Sequence, residues 1–198
     1  MESREPLGAT PIDPDEADGL IPTHLVFRGD LDELEEANIQ AALAWARQRT
    51  LWGRRRADIL TEDFLYALHR RMFGLVWDWA GEIRRTNKNI GVDKHAIRTE
   101  VRNLIEDARL WREQGVYGRD ELAVRFHHRL VAIHPFPNGN GRHSRLMADL
   151  IVERAGGEPF SWGGGTLAST SELRSRYIAA LRKADGGDLK PLIAFARM

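Results

Sequence analysis

Residues His134-Pro135-Phe136-Pro137-Asn138-Gly139-Asn140-Gly141-Arg142-His143-Ser144-Arg145 bring together the side chains and backbone features that handling a phosphate anion requires. An imidazole changes charge near neutral pH and can take a proton from an incoming hydroxyl, which makes His134 a candidate base. Gly139 and Gly141 let the backbone approach a bulky anion and adopt positive φ. If a helix starts here, the amides around Asn140 to Arg142 lack intrahelical acceptors and form an anion nest backed by the helix dipole. Arg142 and Arg145, three apart on one helix face, can both address one polyphosphate. Phe136 is expected to point inward and anchor the loop. Each feature alone has a plainer account: Gly-Asn-Gly as an ordinary turn, either arginine as a surface residue, the histidine as a helix cap. Jointly they point to a phosphate-bearing substrate beside a proton acceptor.

Helical elements are expected on both sides of this stretch. Asp120 to Ile133 carries Leu122, Phe126, Leu130 and Ile133 on one stripe, and Pro135 and Pro137 stop it. A new helix opens near Asn140 with Leu146, Met147, Leu150 and Ile151, and ends at Gly156-Gly157. Earlier, Leu31, Leu34, Ile39, Leu43 and Ala46 repeat at helical steps from Asp30 to about Arg49. Thr61, followed by Glu62 and Asp63, starts a helix to about Gly74, and Ala96 to Gln114 is helical again. Between them, Trp77 and Trp79 suit core packing, and Glu82 to Asp93, broken by Asn87, Asn89 and Gly91, suits a short β-hairpin. Ser169 and Glu172 form a capping box for a helix to about Ala184, and a last helix follows Gly186-Gly187. The expected fold is all-α, about seven helices and one hairpin, in a domain spanning residues 30–198 after an acidic, proline-punctuated arm at 1–29.

Composition narrows the partners. The 198 residues carry 29 basic and 29 acidic side chains, so no global field recruits nucleic acid or an acidic membrane. No direct nucleic-acid binding is expected. No apolar run is long enough to span a bilayer, and the amino-terminal residues do not read as a signal peptide. The lack of cysteine excludes disulfides and thiolate chemistry and fits a reducing, cytoplasmic setting. His127 and His128 are adjacent on a helix and point about 100° apart, so they make poor joint metal ligands. His143 is expected on the helix surface.

The dozen residues resemble the Fic motif, His-x-Phe-x-Asp/Glu-Gly-Asn-Gly-Arg-x-x-Arg, at nearly every defined position. Trp79-Ala80-Gly81-Glu82-Ile83-Arg84 and Tyr177-Ile178-Ala179-Ala180-Leu181 with Gly187-Asp188 and Leu192 extend the resemblance over residues 30–198. In detail the sequence is similar to the subset called mobile mystery protein B. This resemblance implies a nucleotidyltransferase that moves AMP from ATP, with Mg²⁺ or Mn²⁺, to a hydroxyl of a target protein (AMPylation), self-modification included. It implies His134 as the base, Gly139, Asn140, Gly141 and Arg142 on the α- and β-phosphates, and Arg145 on the γ-phosphate. Residues 82–95 would be a flap whose Asn89, Ile90, Gly91 and Val92 dock the target backbone by strand addition. Members of this subset accompany a small DNA-binding partner protein.

Two positions bear on activity. Asn138 stands where the family has the metal-holding Asp or Glu; a neutral amide is a poorer ligand for a hard cation. The Asn138-Gly139 dipeptide is also prone to deamidation, which would install a carboxylate. Residues 30–49 hold the place of the family's inhibitory helix, where Glu36 and Asn38 suit its motif and Glu36 is expected to pair with Arg145. The plainer account is an acidic, solvated helix start. Three activities stay open: AMP transfer, transfer of another nucleotide or of phosphate, and a non-catalytic nucleotide-binding module of toxin–antitoxin type.

Overall fold

Local signals in the chain set where the helices begin and end. The structure, a computed structural model, describes residues 19–22, 28–52, 57–164 and 169–198. Most of the 1–29 arm therefore lies outside the described residues. Helix α1 spans Arg28–Arg47 and runs into a π-helical turn at Gln48–Trp52. Helix α2, Glu62–Phe73, opens where the Thr61 side chain accepts the Phe64 amide. Helix α3, Ile97–Gln114, ends on Gly115 in the left-handed conformation. Helices α4 (Arg119–Ile133) and α5 (Asn140–Arg154) follow, then α6 (Thr170–Asp185), opened by the Ser169–Glu172 capping box, and α7 (Lys190–Arg197).

Helices α4 and α5 pack closely on each other, α1 against α2, and α6 against α7, with α3 on the flank of α4. Phe126, Leu130, Phe136, Met147, Leu150, Leu68 and Met72 fill the shared core. No helix among the described residues is long and apolar enough to cross a membrane.

The all-α expectation holds, with seven α-helices among the described residues. The hairpin is different. Residues 82–95 contain no paired strands, and the isolated antiparallel bridge found among the described residues joins Leu20 to Trp77. The arms of this loop bond to the end of α4 instead of to each other: Arg84 N–H donates to Pro135 O at 3.0 Å and Val92 N–H to Ile133 O at 3.3 Å. A loop whose backbone partners are supplied from outside does not need its own ladder. Its neck is clasped by Asn87, which donates to Asp93 at 2.9 Å and accepts the Lys94 amide at 2.8 Å.

His143 also departs from expectation. It is fully buried and donates from Nε2 to Leu65 O at 3.0 Å, because α5 is wrapped by α2 on the face that periodicity left as surface.

Candidate active site

Two prolines cannot continue a helix, so the chain leaves α4 abruptly. His134 takes a left-handed conformation, φ 54° and ψ 60°, while its amide still bonds to Leu130 O. Such a backbone is uncommon outside glycine and concentrates at functional sites. Phe136 is fully buried and stacks on the His69 ring with centroids 3.6 Å apart, so it anchors the loop as expected.

The loop re-enters helix at Gly139, φ 75°, where a Cβ would lie 2.5 Å from the Phe73 ring. Only glycine fits there on both counts. The first intrahelical bond of α5 runs from His143 N–H to Gly139 O. The amides of Asn140, Gly141 and Arg142 thus have no acceptor within the helix, no acidic side chain sits in that first turn, and the space beside Gly141 is open.

Asn140 also shapes the cradle through its side chain. Its side chain is buried and spans the loop, accepting the Phe136 amide at 3.0 Å and donating to Phe136 O at 2.8 Å. It holds the cradle's shape, and what it offers an anion is its backbone amide.

The arginines are placed differently from each other. Arg142 lies 4.8 Å over the Phe73 ring and forms an ion pair with Glu35 at 2.5 Å. Arg145 donates from Nε to Gly141 O at 3.2 Å, with its guanidinium 5.7 Å from the Tyr177 ring centroid. The expected Glu36–Arg145 pair is not formed. Glu36 is exposed and accepts from Gln40, one turn along α1, whereas Glu35 is buried and also accepts Trp77 Nε1–H at 2.6 Å. Adjacent helical positions point about 100° apart, and the inward stripe is Leu31, Glu35, Asn38, Ala42 and Ala46. That spacing is the signal that singles out Glu35.

His134 is half-buried, and its Nδ1 makes no hydrogen bond of good geometry. Burial pushes its pKa down to about 4, the nearby Arg84 guanidinium and then Lys88 add to this, and the Val131 carbonyl opposes it. The imidazole is therefore neutral at physiological pH and able to accept a proton. The loop 82–95 passes directly over it: a Cβ on Gly91 would lie 2.7 Å from His134 Cβ. Asn89 and Ile90 at its tip are exposed, Ile90 at 61%, and Val92 is half-buried with its amide tied to α4.

Asn138 faces its own loop. Its Oδ1 accepts the Gly139 amide at 2.6 Å and its backbone O accepts His69 Nε2–H at 3.1 Å. A neutral amide oxygen already engaged is a poor donor for a hard divalent cation, and no three His, Cys, Asp or Glu side chains gather to hold one among the described residues. The residues present do not fit Mg²⁺ or Mn²⁺ as ligands.

His69 was not legible as a site residue. It is fully buried, its Nδ1 accepts the Gly81 amide at 2.9 Å, and it joins the root of the loop to Asn138. These two bonds fix its tautomer, and burial first, with His143 and Arg142 beyond it, holds it neutral. His127 is buried too, with Nε2 3.1 Å from Tyr177 Oη, and His128 meets Asp185, so the two histidines share no ligand.

The model of the Fic/DOC family matches residues 59–152, from the start of α2 into α5. Over 150 residues the chain is 31% identical to protein adenylyltransferase fic-1 of Caenorhabditis briggsae, covering 74% of this chain and 28% of that relative. It thus spans little more than a quarter of that curated relative's length. A solved structure of Fic-1 from Caenorhabditis elegans matches with a TM-score of 0.68 at 26% identity, covering 92% of this chain and 51% of that one. The VirB-translocated effector BepC of Bartonella tribocorum, solved with bound AMPPNP, shares the fold at a TM-score of 0.67 and 16% identity, with 92% and 95% covered. With its motif, its cradle and these relatives, the chain belongs to the Fic/DOC family.

Proposed function

We propose that the chain transfers AMP from ATP to a hydroxyl side chain of a protein. The observation that carries this reading is the neutral His134 set at the end of α4 beside the unpaired amides that open α5. The hydroxyl oxygen attacks the α-phosphorus, its proton passes to His134, and the α–β bridging bond breaks to release pyrophosphate. The amides of Asn140 to Arg142 and the Arg142 and Arg145 guanidinium groups neutralise the phosphate charge. The chain's own cations carry this load, since Asn138 adds no charge. The loop 82–95, with Asn89, Ile90, Gly91 and Val92, aligns the target backbone over His134. The C. briggsae relative is named for adenylyl transfer, which favours ATP as the AMP donor.

Glu35 restrains this activity in our reading. Its carboxylate occupies the arginine that a polyphosphate needs, so ATP has to displace it.

Incubating the protein with ATP labelled at the α- or the γ-phosphate tests the proposal. Label retained from the α-position, absent with the γ-label and lost in His134→Ala, supports it; γ-label retained shows phosphate transfer instead. Asn138 favours one second reading, a module that binds the nucleotide without transferring it. Tight ATP binding with neither label on protein would establish that module and overturn the transfer.

A further inference from the structure

Arg84 is only 2% exposed, yet its guanidinium donates to three backbone carbonyls and no carboxylate. Nε–H donates to His134 O at 2.7 Å, one terminal nitrogen to Thr86 O at 2.7 Å, and the other to Val92 O. Its own amide donates to Pro135 O. One side chain therefore ties both arms of the loop to the left-handed residue that ends α4. Room for this is made by Gly91, whose Cβ would come within 2.9 Å of the Arg84 guanidinium and 2.7 Å of His134 Cβ. Burying a guanidinium carries a desolvation cost, which Asp93 offsets through space without accepting a hydrogen bond from it. A hydrophobic residue would fill the same space, but it could not satisfy three carbonyls in a fixed fork geometry.

We propose that Arg84 is the positioning residue of this site: it locks the loop 82–95 and the His134 turn into one rigid unit, so that a backbone docked on the loop presents its hydroxyl to the imidazole. This rests on the adenylyl-transfer reading for the purpose of the unit, but the unit itself can be measured without it. Arg84 also acts electrostatically. The charged groups acting on His134 are Arg84 and Lys88, both of the loop, and both favour the neutral imidazole, while from α4 the Val131 carbonyl works the other way. Loss of the guanidinium removes both the tether and part of the field that keeps the base unprotonated.

The test uses the full chain with Arg84→Met, Arg84→Lys and Gly91→Ala. Three readouts are taken: hydrogen exchange at the Val92 amide, the His134 titration by NMR, and self-modification with α-labelled ATP alongside ATP affinity. In Arg84→Met, Val92 exchange should speed by about tenfold or more as the loop lifts. The His134 midpoint should rise from about 4 toward the ordinary 6.5. Self-modification should fall by about tenfold while ATP affinity stays within about twofold, because the α5 cradle is untouched. Arg84→Lys restores the charge but not the fork, so the midpoint should lie below that of Arg84→Met while Val92 exchange stays fast. Gly91→Ala, with Arg84 intact, should loosen the loop from the other side and also speed Val92 exchange. Should Arg84→Met fail to fold, Arg84→Lys and Gly91→Ala carry the exchange test. Unchanged Val92 exchange in the folded variants overturns the proposal, as does an unmoved His134 midpoint in folded Arg84→Met. A wild-type protein that never self-modifies, with exchange and titration as expected, overturns self-transfer and leaves the Arg84 unit standing.

Discussion

The carboxylate of Glu35 meets the guanidinium of Arg142 at 2.5 Å across 107 residues of sequence, and Trp77 Nε1–H holds its other oxygen at 2.6 Å. A buried carboxylate with a charged partner and an indole donor is well satisfied, so it persists until a stronger anion competes for the arginine. ATP at the start of α5 is such an anion.

Replacing Glu35 by Gly should therefore raise ATP affinity and self-modification, each by about tenfold, the scale of one charge-assisted contact. Glu36→Gly should leave both unchanged, since Glu36 faces solvent and bonds only within α1. Calorimetric titration with ATP and intact-mass spectrometry check the pair. An equal response from both variants would contradict the observed facing of α1.

Asn138→Asp restores a carboxylate in the loop that opens α5. It should bring a Mg²⁺ dependence that the native chain lacks or shows weakly, with a rate gain of about tenfold at saturating metal. Rates against Mg²⁺ concentration for both proteins decide this. The same comparison on aged native protein reads out deamidation, because Asn138-Gly139 converting to Asp would move its metal dependence toward that of the variant.

The base leaves a pH signature. His134 must be neutral to act and holds its proton only below about 4, so lowering pH should not cut the rate at 6.5. A rate profile with an inflection at about 6.5 would show an exposed imidazole instead. Stability behaves differently. His127 and His143 are lowered to about 3, chiefly by burial, against an ordinary 6.5 in the unfolded chain. The unfolded state binds more protons between these values, so stability should fall steadily as pH drops below about 6.5.

Asp149 has the opposite sign. Burial raises its carboxyl to about 7, with the Trp162 and Phe160 donors opposing. The folded state then holds a proton that the unfolded chain has released, so its contribution to stability declines as pH rises from about 4 to about 7. Asp149→Asn keeps an oxygen to accept the Phe160 amide and Trp162 Nε1–H and removes the ionisation. It should be stabilising above pH 7 by about 1–2 kcal/mol and close to neutral near pH 4, by denaturant unfolding at each pH.

Much of this architecture was legible in the sequence, for reasons local to each segment. The Thr61 and Ser169 caps, Pro135 and Pro137, and the glycines at 139 and 115 act within a turn or two of chain, and they set helix ends close to those observed. The anion cradle is equally local, because its donors are consecutive amides.

Other features belong only to the assembled fold. Asp32, Glu33, Glu35 and Glu36 give α1 almost continuous acidity at its start, so composition does not say which carboxylate turns inward. Packing against α2 and α5 chooses Glu35. The 82–95 loop has hairpin-like turn residues, but its backbone partners are Ile133 and Pro135, some forty to fifty residues on, and the Arg84 side chain adds a bond to His134 O. His69 and His143 looked unremarkable until α2 and α5 closed over them. The helices, their ends and the run of donors that opens α5 follow from residues close in the chain, because backbone hydrogen bonding and capping act over a few residues. Which acid meets Arg142, what holds the loop over His134 and which histidines are buried depend on packing, because desolvation and long-range hydrogen bonds exist only once the elements assemble.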